Sequence, residues 1–157
     1  MVNKIKNRLG SEQGFTLIEL LVVIVILGIL VAIAVPAYLS FTKSAKNAAA
    51  ESNVRSAIPA AESYYQDATN NATLYTYTGL TGAKLRTEAP GVSPDVKAVA
   101  LGTNGTAYCI EDTESGSSNG STYDYIGGSG FTAASGYALA TIQPGSCSQA
   151  DGGTAAS

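Results

Sequence analysis

The sequence predicts an α+β protein in which a long, protruding N-terminal α-helix packs by its second half on a small antiparallel β-sheet. Three observations predict it. After a short basic leader, Leu20 to Ala37 is uncharged and apolar throughout but for Gly28 and Pro36. A three-and-four-residue periodicity then carries on well beyond that run. The second half of the 157 residues alternates short β-branched and aromatic segments with Gly, Pro and Asn turns.

The leader, residues 1–14, sets Lys4, Lys6 and Arg8 against Glu12, and the positive-inside rule holds it on the cytoplasmic side. About 20 residues cross a hydrocarbon core, and the segment 15–36 supplies that length. The body, residues 37–157, is therefore expected on the far side of the membrane. Glu19 sits just inside the apolar segment. An acidic residue at the centre of a membrane helix costs about 2.5 to 3.5 kcal/mol, and less near the interface. A passive anchor has no use for it, so a positive partner acquired after insertion is expected. An ordinary signal peptide is the rival reading, with Leu20 to Val31 as its apolar core and Ala32-Ile33-Ala34 as an A-x-A-like cleavage site. Against it, an apolar core seldom opens on a glutamate, and the helical pattern continues past that site. A plain uncleaved anchor is the third reading.

Gly14-Phe15-Thr16-Leu17-Ile18-Glu19-Leu20-Leu21, the apolar helix and Pro36 resemble a type IV prepilin, a family of filament pilins and type II secretion pseudopilins. The resemblance covers roughly the first third of the chain. It implies cleavage by a membrane prepilin peptidase between Gly14 and Phe15, and N-methylation of Phe15. It gives Glu19 the task of pairing with a neighbour's terminal amine during assembly. It also implies polymerisation with copies of itself, lipid around the helix before assembly, and pilus or secretion machinery in the membrane. The implied location is the cytoplasmic membrane, then a surface or periplasmic filament. An ammonium at Phe15 and a carboxylate at Glu19 attract strongly in a low dielectric, though desolvation offsets much of the gain. Such a pair fixes register better than it supplies stability.

Past Pro36 the stripe Tyr38, Phe41, Ala45, Ala48, Ser52, Val54 or Arg55, Ile58, Ala61 and Tyr65 predicts an amphipathic helix to about Thr69. Asn70-Asn71 supplies its stop signal. A helix from Phe15 to Thr69 is roughly 80 Å long, more than a small domain spans. Its apolar first half then needs lipid or copies of itself. Pro36 and Pro59 each remove a backbone donor and predict kinks. In family filaments helical order is often lost between the positions of Gly28 and Pro36.

Tyr75 to Leu85, with Gly79 and Gly82, reads as a crossing from helix to sheet, and Pro90-Gly91 and Pro94-Asp95 mark a further turn. Candidate strands are Val96–Leu101, Ala107–Glu111, Thr122–Ile126 and Tyr137–Ile142. The small polar tail after Cys147 reads as disordered. Cys109 and Cys147 are the only cysteines. In a translocated domain an even pair favours a disulfide, with two free thiols as the alternative in a reducing envelope. Many filament pilins carry a disulfide near the C-terminus, and this spacing resembles that habit.

The acidic, polar segment Glu111 to Gly120 invites a Ca²⁺ reading, and major pseudopilins carry calcium in sheet loops. Its spacing completes no calcium motif, and Asp124 is the nearest distal carboxylate, so a solvated hairpin and no metal are expected. Asn71-Ala72-Thr73, Asn104-Gly105-Thr106 and Asn119-Gly120-Ser121 match a short, common glycosylation pattern. Tyr38, Tyr64, Tyr65, Tyr108, Tyr125 and Tyr137 are expected to pack in core and interfaces. Nine basic and 12 acidic residues give a net charge of −3, or −5 without the leader, neither of which suggests an electrostatic nucleic-acid surface, so no nucleic-acid partner is expected. The chain contains no histidine, and neither a nucleophile–base pair nor a phosphate loop stands out. An enzyme and a cofactor are therefore not expected. The functional readings are a structural filament subunit, a pseudopilin serving secretion or DNA uptake, and a secreted binding module behind an ordinary signal.

Overall fold

A computed structural model describes residues 14–68, 75–102, 104–113, 122–130 and 132–150. The elements are α1 (Leu17–Gln66), α2 (Gly82–Glu88), β1 (Val96–Leu101), β2 (Ala107–Thr113), β3 (Thr122–Gly128), β4 (Gln143–Pro144) and α3 (Cys147–Ala150). The chain divides into two compact units, Met1–Phe41 and Thr42–Ser157. The leader charges lie outside the described residues, as do the Asn70-Asn71 stop signal and the sequons at Asn71 and Asn119.

In the first unit the helix holds only exposed residues. Its apolar window has a mean hydropathy of 3.2, and none of that window is buried. Helical structure runs unbroken through Pro36 and Pro59 and ends at Gln66, three residues short of expectation.

In the second unit the helix buries Ala50, Val54, Ala57, Ala60, Ala61 and Tyr64. Val54 and Ala61 of the predicted stripe lie on this face, with Ile58 and Tyr65 at its margin, whereas Tyr38, Phe41, Ala45, Ala48, Ser52 and Arg55 are exposed. The reason is size. Small Ala57, Ala60 and Ala61 let the backbone come close to Tyr77, Tyr108, Leu85 and Val96 in one core cluster, and the bulkier Ile58 and Tyr65 pack at its margin.

The four strands form an antiparallel sheet in the order β1-β2-β3-β4. Alternation along each strand sorts the side chains onto two faces. Val96, Tyr108 and Ile110 join the helix residues, while Leu101, Cys109 and Ile126 form a second cluster with Cys147. Tyr108 lies opposite Gly127, where a Cβ would run into the phenol ring. Glycine there is a condition of the tyrosine's position.

Three expectations are corrected. The stretch Tyr137–Ile142 is not a strand, because Gly136 and Ala140 adopt positive φ of 95° and 56°. Gln143 folds the segment back by accepting from Ala138 N at 3.1 Å and donating to Ala138 O at 3.4 Å, and the last strand shrinks to Gln143–Pro144. The crossing at Tyr75–Leu85 runs into the helix α2, capped by Thr81, whose hydroxyl accepts from Lys84 N at 3.3 Å. The stretch after Cys147 opens with the helical turn α3, and the remainder of that tail, residues 151–157, lies outside the described residues.

Candidate functional site

The N-terminal site is built on the first turn of α1. Thr16 caps the helix, its Oγ1 accepting from Glu19 N at 3.2 Å and facing Glu19 Oε2 at 3.5 Å. Thr16-x-x-Glu19 has the capping-box sequence, and the Thr16 side chain supplies its half of the motif to Glu19 N. That gives Glu19 a local role within its own chain, which the sequence reading missed although the four-residue signal was there. Gly14 and Phe15 precede the helix in non-helical backbone. Phe15, Glu19, Leu20 and Val23 line a cleft of about 270 Å³, and Phe15 is 84% exposed. The arrangement leaves Gly14 and Phe15 exposed and sets the Glu19 carboxylate one turn into the apolar surface. Pro36 sits in the exposed apolar stretch of the same helix.

In the second unit, one carboxylate organises the tyrosines. Tyr108 donates to Glu62 Oε1 at 2.8 Å and Tyr77 donates to Glu62 Oε2 at 3.0 Å. Burial, reinforced by Glu62, raises both phenols well above the usual tyrosine value. The rings of Tyr75, Tyr65, Tyr77, Tyr108 and Tyr125 follow one another at centroid distances of 5.7, 4.8, 4.5 and 6.0 Å.

On the other sheet face, Cys109 and Cys147 form a disulfide with 5.6 Å between Cα atoms. Glu111 supports it by accepting from Cys147 N at 2.7 Å. Asp124, opposite Glu111 in register, is fully buried and leaves Oδ1 without a partner. Burial and then the Glu111 charge push its carboxyl up to about 6, against an opposing contact from Gln143 at 3.5 Å. Asp112 faces α1, where it accepts from Asn53 at 2.8 Å, and burial raises its carboxyl too. The segment suspected of binding calcium runs outside the described residues from 114 to 120. Asp124 belongs to a strand rather than to that loop. Among the described residues no three His, Cys, Asp or Glu side chains gather to hold a metal.

Residues 9–35 match the family described as the prokaryotic N-terminal methylation motif. The chain is 40% identical over 56 residues to the type IV major pilin protein PilA of Myxococcus xanthus, covering 36% of this chain and 26% of that protein. It is 52% identical over 60 residues to the type IV narrow pilus major component PilA5 of Thermus thermophilus, covering 38% and 48%. It is 47% identical over 53 residues to a fimbrial protein of Pseudomonas aeruginosa, covering 34% of each. The matches therefore span between about a quarter and a half of these relatives. No solved structure matches significantly.

Proposed function

We propose that this chain, whose N-terminal segment is that of a type IV prepilin, is a structural subunit of a type IV pilus-like filament. It enters the cytoplasmic membrane through α1, is cleaved after Gly14 by a prepilin peptidase, and is N-methylated at Phe15. Membrane machinery then polymerises it through the apolar helix.

The supporting observation is the surface of that helix. Nineteen large apolar side chains between Phe15 and Phe41 are 47–84% exposed. At about 25 cal/mol per Å², leaving them in water costs on the order of 50 kcal/mol. Lipid removes that cost before assembly, and neighbouring copies remove it afterwards. Glu19 then distinguishes the two environments. In lipid it is an expensive carboxylate beside its own Thr16. In the filament, a parallel neighbour displaced by one to two helical turns brings the ammonium of Phe15 to it. Pairing thus favours the register in which the apolar surfaces also meet. Pro36 lacks a donor within the apolar helix, which supports a bend in the filament core there.

The pilus reading is preferred to the secretion reading because the three relatives described above are named as pilus or fimbrial proteins. Electron microscopy of material sheared from cells with this chain as sole subunit tests the proposal. Filaments are expected, and a soluble monomer in the medium would overturn it.

A further inference from the structure

We propose that the cleft beside Glu62 is an inter-subunit socket for Lys43 of a second copy of this chain. The inference rests on the filament reading above and adds a residue-level contact to it. An open cleft of about 530 Å³ is lined by Pro59, Glu62, Ser63, Gln66 and Asp67. A surface glutamate is normally mobile, and ordering it for an ion pair offsets much of the Coulomb gain. Glu62 is different, because each of its oxygens already accepts a phenol hydrogen from the core, at 2.8 and 3.0 Å. Neutral phenols fix the carboxylate without cancelling its charge. Asp67 puts a second carboxylate in the lining, and Ser63 donates to a third, Glu88 Oε2, at 3.1 Å. The cleft therefore presents a preorganised negative charge, and its ligand is a cation.

The described basic groups of this unit are almost all engaged. Arg55 pairs with Glu51 at 2.9 Å, Lys97 lies 4.0 Å from Glu111, and Lys84 donates to Tyr64 at 3.1 Å. Arg86 donates to the carbonyls of Ser93 and Pro94, and Lys46 is likewise engaged within the chain. Lys43 is exposed, and among the described residues no acceptor engages it. It lies on the same helix as Glu62, about 28 Å upstream at 1.5 Å per residue. One helix cannot bring the two together, so the contact forms between copies. Parallel copies related by one screw operation repeat it at every subunit, and a modest pair energy acts along the whole filament.

Sheared filaments assembled from mixed ¹⁴N and ¹⁵N full-length chains, treated with a zero-length carbodiimide, should give a mixed-isotope Lys43–Glu62 peptide. Lys43→Gln and Glu62→Gln should each lower filament yield about fivefold, with a loss in the double variant no larger than in either single one. Glu62→Gln retains an acceptor for one phenol and offers the other an N–H donor, and thermal unfolding of the detergent-solubilised chain checks that it folds. Filaments without the cross-link, or with additive losses in the double variant, would overturn the contact and leave the filament standing. No filaments from the unsubstituted chain would remove both.

Discussion

Replacing Asp124 by Asn should stabilise this protein at neutral and alkaline pH, although it removes a buried native side chain. Asp124 is fully exposed in the unfolded chain, where its carboxyl titrates near 3.9. In the folded protein burial raises it to about 6. Below the unfolded value both states are protonated, and the substitution changes little. Between the two values the folded state holds a proton that the unfolded state has released. Above about pH 6 both states are ionised, and folding carries the whole penalty of a buried, half-unpartnered carboxylate. A two-unit difference is worth about 3 kcal/mol, so stability from the protonated group is lost as pH rises through 6. Asn keeps the shape and an oxygen for Gln143. Thermal unfolding of the full chain in detergent, disulfide intact and followed by near-ultraviolet circular dichroism of the tyrosines, measures the effect. We expect a midpoint on the order of 10 °C higher at about pH 8, with the gain fading below about pH 4. Asp112 also titrates high, so the unsubstituted chain and the variant must be compared at each pH. An equal gain at both pH values, or a loss at pH 8, would refute the reasoning.

Glu19→Ala should still be processed at Gly14 but yield at least tenfold fewer filaments as sole subunit, counted in sheared fractions. Wild-type yield would remove the pairing role. The double substitution of Cys109 and Cys147 by Ser should cost about 4 kcal/mol, the loop entropy for a separation of 38 residues, read as a lower thermal midpoint. Glu62→Ala leaves the hydroxyls of buried Tyr77 and Tyr108 without their acceptor and should cost about 2–5 kcal/mol in the same assay. Glu62→Gln should recover at least half of that loss.

Strong local signals were legible in the sequence. The apolar run was legible as a helix long and apolar enough to cross a membrane, because its length and hydropathy need only its own residues. The strands Val96–Leu101, Ala107–Thr113 and Thr122–Gly128 begin where their alternation begins, and each needs only its own residues to be recognised. Tertiary context decided the rest. The buried helix face was read only in part, at Val54 and Ala61, because alanines make most of it and alanine carries little hydrophobic weight until tyrosine rings from elsewhere cover it. Tyr137–Ile142 has strand composition, but the Gln143 side chain closes it into a loop. The Thr16–Glu19 cap was visible, yet membrane cost drew attention to Glu19 as a charge rather than as a helix start. Nothing local marks Glu62 as an acceptor for two phenols that come from 15 and 46 residues away.

The most direct test of the central claim is the N-terminus and intact mass of the protein recovered from its host. A chain that starts at Phe15 and carries one extra methyl group is the predicted result. A chain that starts at Val35 would mean ordinary signal cleavage, loss of the apolar helix, and no polymer of the kind proposed.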